Sequence, residues 1–114
     1  MITWKNIENE QVLEKLLSQP ENEETPILIF KHSTRCSISA NVLDRLQRQW
    51  DTKSHEAVQT YLIKVIEERP LSNALSQRLG ITHESPQLFL LKNGKLLFHA
   101  SHYDISYNEV KKNL

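Results

Sequence analysis

Cysteine and glycine are both scarce in this sequence. A single cysteine among 114 residues cannot form an internal disulfide, so nothing in the chain requires an oxidising compartment. With only two glycines, the chain has no glycine-rich loop of the kind that cradles phosphate groups. No apolar run is long enough to cross a bilayer. These absences argue against a disulfide-stapled secreted protein, a phosphate-loop enzyme and a membrane-spanning protein.

An excess of charge of one sign is also absent. The 14 lysines and arginines balance 14 aspartates and glutamates, which argues against nucleic acid or an anionic membrane as the main partner. Residues 1–11 lack a basic segment followed by an apolar one, so we expect no secretory signal. A hydrophobic share of 39% is typical of a globular protein. We therefore expect one cytoplasmic domain spanning residues 1–114.

The spacing of apolar residues predicts alternating strands and helices. The apolar run at residues 27–30 is typical of a strand covered on both faces, and Asn93-Gly94 predicts a hairpin turn. Helices between strands imply parallel crossovers, while the hairpin adds antiparallel strands at one edge. The predicted fold class is α/β, a mixed four- to five-stranded sheet with helices on both faces. The predicted strands are residues 2–4, 27–30, 60–66, 87–91 and 95–100, and the predicted helices are residues 6–18, 36–50, 70–79 and 106–112.

Cys36 is the strongest candidate for a reactive group. It lies between a buried strand and the start of a helix, where free backbone N–H groups and the helix dipole favour an anion such as a thiolate. Lys31 and His32 lie on the polar connection that leads to it. A free cysteine is often only a small buried hydrophobe, but the flanking Arg35 and Ser37 form a poor environment for a core position. The sequence therefore favours a reactive thiolate.

Ser39 stands three residues after Cys36, where a Cys-x-x-Cys motif would have its second sulfur. Its hydroxyl can donate a hydrogen bond to the thiolate but cannot resolve a mixed disulfide. A serine in the first turn of a helix is equally suited to satisfying a backbone donor. Both roles remain open from the residues alone.

Ser85-Pro86 precedes the predicted strand at residues 87–91. A cis peptide here would turn the backbone of Ser85 toward Cys36, where it could pair with an extended substrate segment. Proline is also tolerated at a strand start in the ordinary trans form. The residues alone favour the trans form.

The histidines raise the question of a metal site. Zinc and iron sites need three or four ligands at constrained spacing, so one cysteine with scattered histidines predicts no metal site. His32 and His83 are predicted to lie near Cys36, where they could tune the thiol. The other three histidines, His55, His99 and His102, are predicted to be polar loop or strand-end residues.

Three segments together resemble the YtxJ family, the monothiol bacilliredoxins of bacteria that use bacillithiol instead of glutathione. They are residues 30–39 (FKHSTRCSIS), 83–87 (HESPQ) and 99–102 (HASH), and the resemblance runs over nearly the whole chain. It implies a thioredoxin-like fold and removal of bacillithiol from S-bacillithiolated client proteins. It also implies no bound cofactor, with bacillithiol as co-substrate and a reductase for regeneration.

By the same resemblance, Cys36 is the nucleophile, Ser39 occupies the lost resolving position and Pro86 is the cis-proline of the fold. The family motif usually reads Thr-Cys-Pro-Ile-Ser, whereas here Arg35 precedes the cysteine and Ser37 replaces the proline. Phe30 takes the place of the buried acid of thioredoxins, so a proton shuttle for resolution is absent. The expected substrate-binding residues are His32, Arg35, Ser37, His83 and Ser85.

The expected reaction is attack of the Cys36 thiolate on the bacillithiol sulfur, after which another thiol or a reductase clears the adduct. One alternative is a non-catalytic, thioredoxin-like protein-binding module in which Cys36 is incidental, and slow alkylation would favour it. A second is iron–sulfur binding as in monothiol glutaredoxins, whose Cys-Gly-Phe-Ser motif differs from residues 36–39 here. A colourless protein would count against the second alternative. Neither nucleic acid nor membrane is an expected partner.

Overall fold

The computed structural model describes residues 2–19 and 24–114 of the chain. Helices and strands alternate along it as far as the final hairpin, as the apolar spacing predicts. A short 3-10 turn, His102–Asp104, precedes the last helix. In chain order the elements are α1 (Glu10–Leu17), β1 (Ile27–His32), α2 (Ser37–Gln49), β2 (Gln59–Lys64), α3 (Arg69–Leu79), β3 (Gln87–Lys92), β4 (Lys95–Ser101) and α4 (Tyr107–Lys112).

The four strands form one mixed sheet in the order β2-β1-β3-β4. β1 runs parallel to β2, with Phe30 opposite Leu62, and antiparallel to β3, with Phe30 opposite Leu88. At the hairpin turn between β3 and β4, Asn93 and Gly94 have φ angles of 56° and 73°, in the left-handed region that tight hairpin turns require. The predicted parallel crossover and edge hairpin are therefore confirmed, in a sheet with four strands among the described residues.

Alternate residues of β1 face two hydrophobic clusters, one on each side of the sheet. Leu28 and Phe30 pack in the cluster that includes α2 and α4, whereas Ile27 and Ile29 pack in the one that includes α1 and α3. All four side chains are at most 2% exposed, which explains why this strand is a continuous apolar run. The prediction of helices on both faces of the sheet is confirmed.

Local caps set the ends of two helices. Oδ1 of Asn9 accepts a hydrogen bond from the N–H of Val12 at 2.9 Å, so α1 begins at Glu10 and not at the predicted residue 6. Pro70 lies in the first turn of α3, where its missing N–H would have no partner within the helix. Gly80 ends that helix with a φ of 67°, as its position predicts.

The predicted edge strand at residues 2–4 is wrong. Among the described residues at this end of the chain, Lys5 alone forms a bridge, to Tyr61, and a single bridge does not make a strand; Ile2 packs in the core. The predicted end of β2 is also wrong, since the strand stops at Lys64.

Two predictions beside Cys36 need correction as well. Lys31 and His32 belong to β1 and not to a polar connection, because β2 continues to pair with both of them. The helical spacing of Ile38, Val42 and Leu46 predicts that all three are buried, but Ile38 is 37% exposed, whereas Val42 and Leu46 are buried. Ile38 lies in the first turn of the helix, at the edge of the sheet, where the strands no longer cover it.

Candidate active site

One edge of the sheet brings the candidate residues together. β1 ends there at His32, and the antiparallel β3 begins there at Gln87, which pairs with Lys31. β2 and β4 end at the same edge. The loop that carries Cys36 and the loop that carries Pro86 therefore leave the sheet on the same side.

Cys36 is the N-cap residue of α2, in an extended conformation, and it is half-buried. Its N–H donates to the carbonyl oxygen of Ser33 at 3.2 Å, and its own carbonyl accepts the first helical hydrogen bond, from Ala40, at 3.1 Å. Its side chain makes no capping hydrogen bond. The neighbouring Arg35 and Ser37 are exposed. The predicted position at a helix start is confirmed, so the positive end of the helix dipole acts at this residue.

Ser39 is fully buried one turn into α2, and its hydroxyl is engaged on two sides. The N–H of Ser33 donates to Ser39 Oγ at 3.0 Å, and Nδ1 of His32 lies 2.7 Å from the same oxygen. Among the hydrogen bonds of the described residues, none joins Ser39 to Cys36. Of the two roles left open by the sequence, satisfaction of a backbone donor is confirmed, with the donor in the loop before the helix.

His32 is half-buried at the end of β1, with its ring 6.3 Å from the ring of Phe30. Burial lowers the pKa of His32 below its usual value, because desolvation disfavours the imidazolium. The charge of Glu67 acts in the opposite direction on this pKa, and that of Lys64 acts with burial. His32 is therefore mainly neutral at neutral pH.

Lys31 was expected on a polar loop but is completely buried. Its Nζ donates to Oγ of Ser76 at 2.6 Å and lies 3.1 Å from Nδ1 of His83 and 5.7 Å from the ring centroid of Phe89. Burial lowers the pKa of Lys31 to about 8. The two-residue period of a strand could have indicated this, since it places Lys31 on the same face of β1 as the buried odd-numbered residues.

His83 turns its Nδ1 toward Lys31 while much of its ring stays exposed. Partial burial lowers the pKa of His83, the charge of Lys31 acts in the same direction, and that of Glu84 opposes it. The two histidines predicted near Cys36 thus have different surroundings. The structure links His32 to the Cys36 helix through Ser39, whereas His83 contacts Lys31 on the α3 side of the sheet.

The Ser85-Pro86 peptide bond is cis. The family resemblance implies this form, and the trans form favoured by the residues alone is wrong. Pro86 is buried, and its carbonyl oxygen accepts a hydrogen bond from the N–H of His102 at 2.9 Å. The buried side chain of Gln87 accepts another from the N–H of Glu84 at 3.2 Å. These contacts tie the loop to the ends of β3 and β4.

Residues 5–110 match the family described as monothiol bacilliredoxin BrxC. The chain belongs to this bacilliredoxin family. The match spans nearly the whole sequence and confirms the family that the segments around Cys36, Pro86 and His99 resemble.

Solved structures similar to this bacilliredoxin-family chain share its fold. A thioredoxin-fold protein described as a candidate oxidoreductase is 27% identical, with a TM-score of 0.76 over 95% of this chain and 90% of its own. A thioredoxin of Malassezia sympodialis is 15% identical, with a TM-score of 0.69 over 96% of this chain and 86% of its own. Thioredoxin O2 of Arabidopsis thaliana in the oxidised state is 17% identical, with a TM-score of 0.69 over 96% and 89%. The thioredoxin-like fold is confirmed, and with the family it assigns the chain a thiol oxidoreductase-like role.

The remaining histidines of this bacilliredoxin-family chain make contacts of other kinds. Nε2 of His55 lies 2.9 Å from the hydroxyl of Tyr107, His102 faces Glu84 at 3.2 Å, and His99 is exposed on β4. Within residues 2–19 and 24–114, no group of three or more His, Cys, Asp or Glu side chains is placed to hold a metal ion. Over the same ranges, no helix has the length and apolar character needed to cross a membrane.

Proposed function

We propose that this protein removes bacillithiol from S-bacillithiolated proteins through a mixed disulfide on Cys36. The observation that carries the proposal is the half-buried Cys36 at the N-terminus of a 13-residue helix, in a chain of the monothiol bacilliredoxin family. The N-terminus of α2 and the exposed, positively charged Arg35 flank the sulfur along the chain, and both attract an anionic group of a substrate or of the exchange reaction.

The reaction is an exchange of one disulfide for another. The Cys36 thiolate attacks the bacillithiol sulfur of the client's mixed disulfide, a new S–S bond forms to Cys36, and the old bond breaks. The electron pair of the broken bond leaves with the client sulfur, which takes a proton from water to become a thiol. Cys36 then carries bacillithiol, and the client is reduced.

Regeneration needs a second thiol from outside the protein. Ser39 occupies the position of a resolving cysteine, and its hydroxyl is buried and bonded to Ser33 and His32. Phe30, fully buried at the position of the thioredoxin acid, offers no proton acceptor. A free bacillithiol thiolate attacks the adduct, returns the Cys36 thiolate and leaves as a bacillithiol disulfide, which a reductase reduces. Bacillithiol is thus a co-substrate, no bound cofactor is needed, and we place the reaction in the cytoplasm.

Substrate contacts are proposed for the residues that surround the sulfur. Arg35 and Ser37 are exposed on either side of Cys36, and Ser85 lies on the loop at the same edge of the sheet, where its backbone could pair with an extended client segment. Ser37 replaces the proline usual in the family and so adds a backbone N–H and a hydroxyl that could contact bacillithiol. The proposed contact residues are His32, Arg35, Ser37, His83 and Ser85.

Mass spectrometry after exposure to bacillithiol disulfide tests the covalent step. The native protein is expected to gain one bacillithiol on Cys36, and the Cys36→Ser variant none. Exposed Ser54→Ala, in the loop between α2 and β2, is the matched control, since it keeps the sulfur and all proposed contact residues and should still form the adduct. Absence of the adduct on the native protein would refute the proposal.

Challenge with one client protein in two forms tests the choice of thiol. We expect faster release of the client thiol from its bacillithiolated form than from its glutathionylated form. Equal rates with the two mixed disulfides would overturn bacillithiol as the preferred substrate while leaving thiol exchange at Cys36 intact.

A further inference from the structure

We infer that His32 is a positioning residue that controls the Ser39 hydroxyl, holding its proton while the ring is neutral and releasing it toward the Cys36 thiolate when the ring is protonated. The inference deepens the proposed function and rests on it only in taking Cys36 as the reacting group. It is carried by the hydrogen bonds that surround one buried hydroxyl.

The Ser39 hydroxyl has one proton and must place it on an acceptor, because its side chain is fully buried. The N–H of Ser33 already donates to Oγ at 3.0 Å. Among the described residues, the acceptor within hydrogen-bond distance of Oγ is Nδ1 of His32, at 2.7 Å. Neutral His32 therefore accepts at Nδ1 and carries its own proton on Nε2.

Protonation of His32 reverses this hydrogen bond. The added proton sits on Nδ1, which then donates to Ser39 Oγ, and the hydroxyl receives hydrogen bonds from both His32 and Ser33. Its own proton must turn to another acceptor. Cys36 is the N-cap residue and Ser39 the third residue of α2, so both lie within the first turn of the same helix. A thiolate at Cys36 is the anionic acceptor within this turn.

The loop before the helix belongs to the same network. Ser33 donates its N–H to Ser39 and accepts the N–H of Cys36 through its carbonyl oxygen, at 3.2 Å. Through Ser39, His32 therefore contacts both ends of the turn that presents the sulfur. A charged His32 and a thiolate at Cys36 stabilise each other through one hydroxyl, and this coupling is reciprocal.

The groups around His32 set the pH at which the switch operates. Lys64 at the end of β2 and Glu67 just after it are the charges that act on the ring, while α2 contributes the neutral Ser39 and β1 the ring of Phe30. Burial lowers the pKa of His32, Lys64 acts with it and Glu67 against it. The hydroxyl is therefore released only in mildly acidic conditions, at a pH below the usual histidine pKa.

The test is the rate of Cys36 alkylation by iodoacetamide from about pH 4 to about pH 9, a range that brackets histidine titration. His32→Asn keeps an acceptor near the position of Nδ1 but cannot titrate, and Ser39→Ala removes the hydroxyl. At a pH low enough to protonate His32, Cys36 of the native protein should be alkylated on the order of tenfold faster than that of both variants, as expected for a hydrogen bond to a charged group. Above that pH, native and His32→Asn rates should coincide. Exposed His99→Gln is the control and should follow the native profile.

The inference would be overturned if the alkylation rate had the same pH dependence in the native protein and both variants. It would also be overturned if the variants were slower by the same factor at every pH, because that result indicates only a loosened loop. Nitrogen NMR of the His32 ring gives a second readout, in which a neutral ring protonated on Nδ1 would also overturn it. Iodoacetamide does not depend on bacillithiol. If the alkylation profiles are as expected but bacillithiol exchange fails, only the proposed function is refuted. If bacillithiol exchange succeeds but the alkylation profiles differ from those expected, only this inference is refuted.

Discussion

Replacement of Lys31 by Met tests the cost of burying a charge beside the candidate active site. The side chain is completely buried, and burial lowers its pKa from 10.5 to about 8. Between these two values the unfolded chain binds more protons than the folded protein, so the free energy of unfolding rises with pH. Below about pH 8 lysine is charged in both states, and the contribution is constant. From about pH 7 to about pH 9.5, Lys31 should add about 2 kcal/mol to the free energy of unfolding.

Urea unfolding of native protein and Lys31→Met at these two pH values measures the effect. Since Met also removes the hydrogen bonds that Lys31 makes to Ser76 and His83, the native–variant difference at a single pH does not isolate the cost of the buried charge, whereas the change of that difference with pH does. The native midpoint should rise by about 1 M urea relative to that of the variant between the two pH values. Exposed Lys53→Met is the control and should behave as the native protein. A native–variant difference that stays constant between the two pH values would refute the reasoning.

Two further predictions concern the resolving position and the glycines. Ser39→Cys restores a Cys-x-x-Cys spacing. After reaction with bacillithiol disulfide, the mixed adduct on Cys36 should therefore give way to an internal disulfide, which mass spectrometry detects as loss of the adduct mass. A persistent adduct would show that a sulfur at the buried position 39 cannot reach Cys36. Gly94→Ala should lower the free energy of unfolding by about 2 kcal/mol or more, and Gly80→Ala by about 1 kcal/mol. Both glycines have left-handed φ angles, but only at Gly94 would an added Cβ meet the backbone, at 2.9 Å from the carbonyl oxygen of Gln19. Equal losses in thermal or urea unfolding would contradict the role of this close approach.

Features that depend on neighbouring residues were predictable from the sequence. The apolar run at residues 27–30, the hairpin at Asn93 and the stop at Gly80 follow from periodicity and turn chemistry, and the structure has all three. The position of Cys36 at a helix start follows in the same way. The strand predicted at residues 2–4 fails because a strand needs continuous pairing, and of the described residues before α1 Lys5 alone forms a bridge, to Tyr61.

The surroundings of the reactive sulfur depended on contacts between distant parts of the chain. Lys31 reaches Ser76, 45 residues along, and His83, 52 residues along, and no local pattern specifies either partner. The cis form of Pro86 was implied by the family resemblance and not by the neighbouring residues.

By itself, the sequence determined that a single sulfur is available, that it stands at a helix start and that a serine takes the place of a second one, because these are matters of composition and spacing. The tertiary structure decided which partners the buried Lys31 meets and that the Ser39 hydroxyl bonds to His32 and Ser33 instead of Cys36. Desolvation and hydrogen-bond partners depend on which faces meet when the helices cover the sheet, and that is settled only when the whole chain folds.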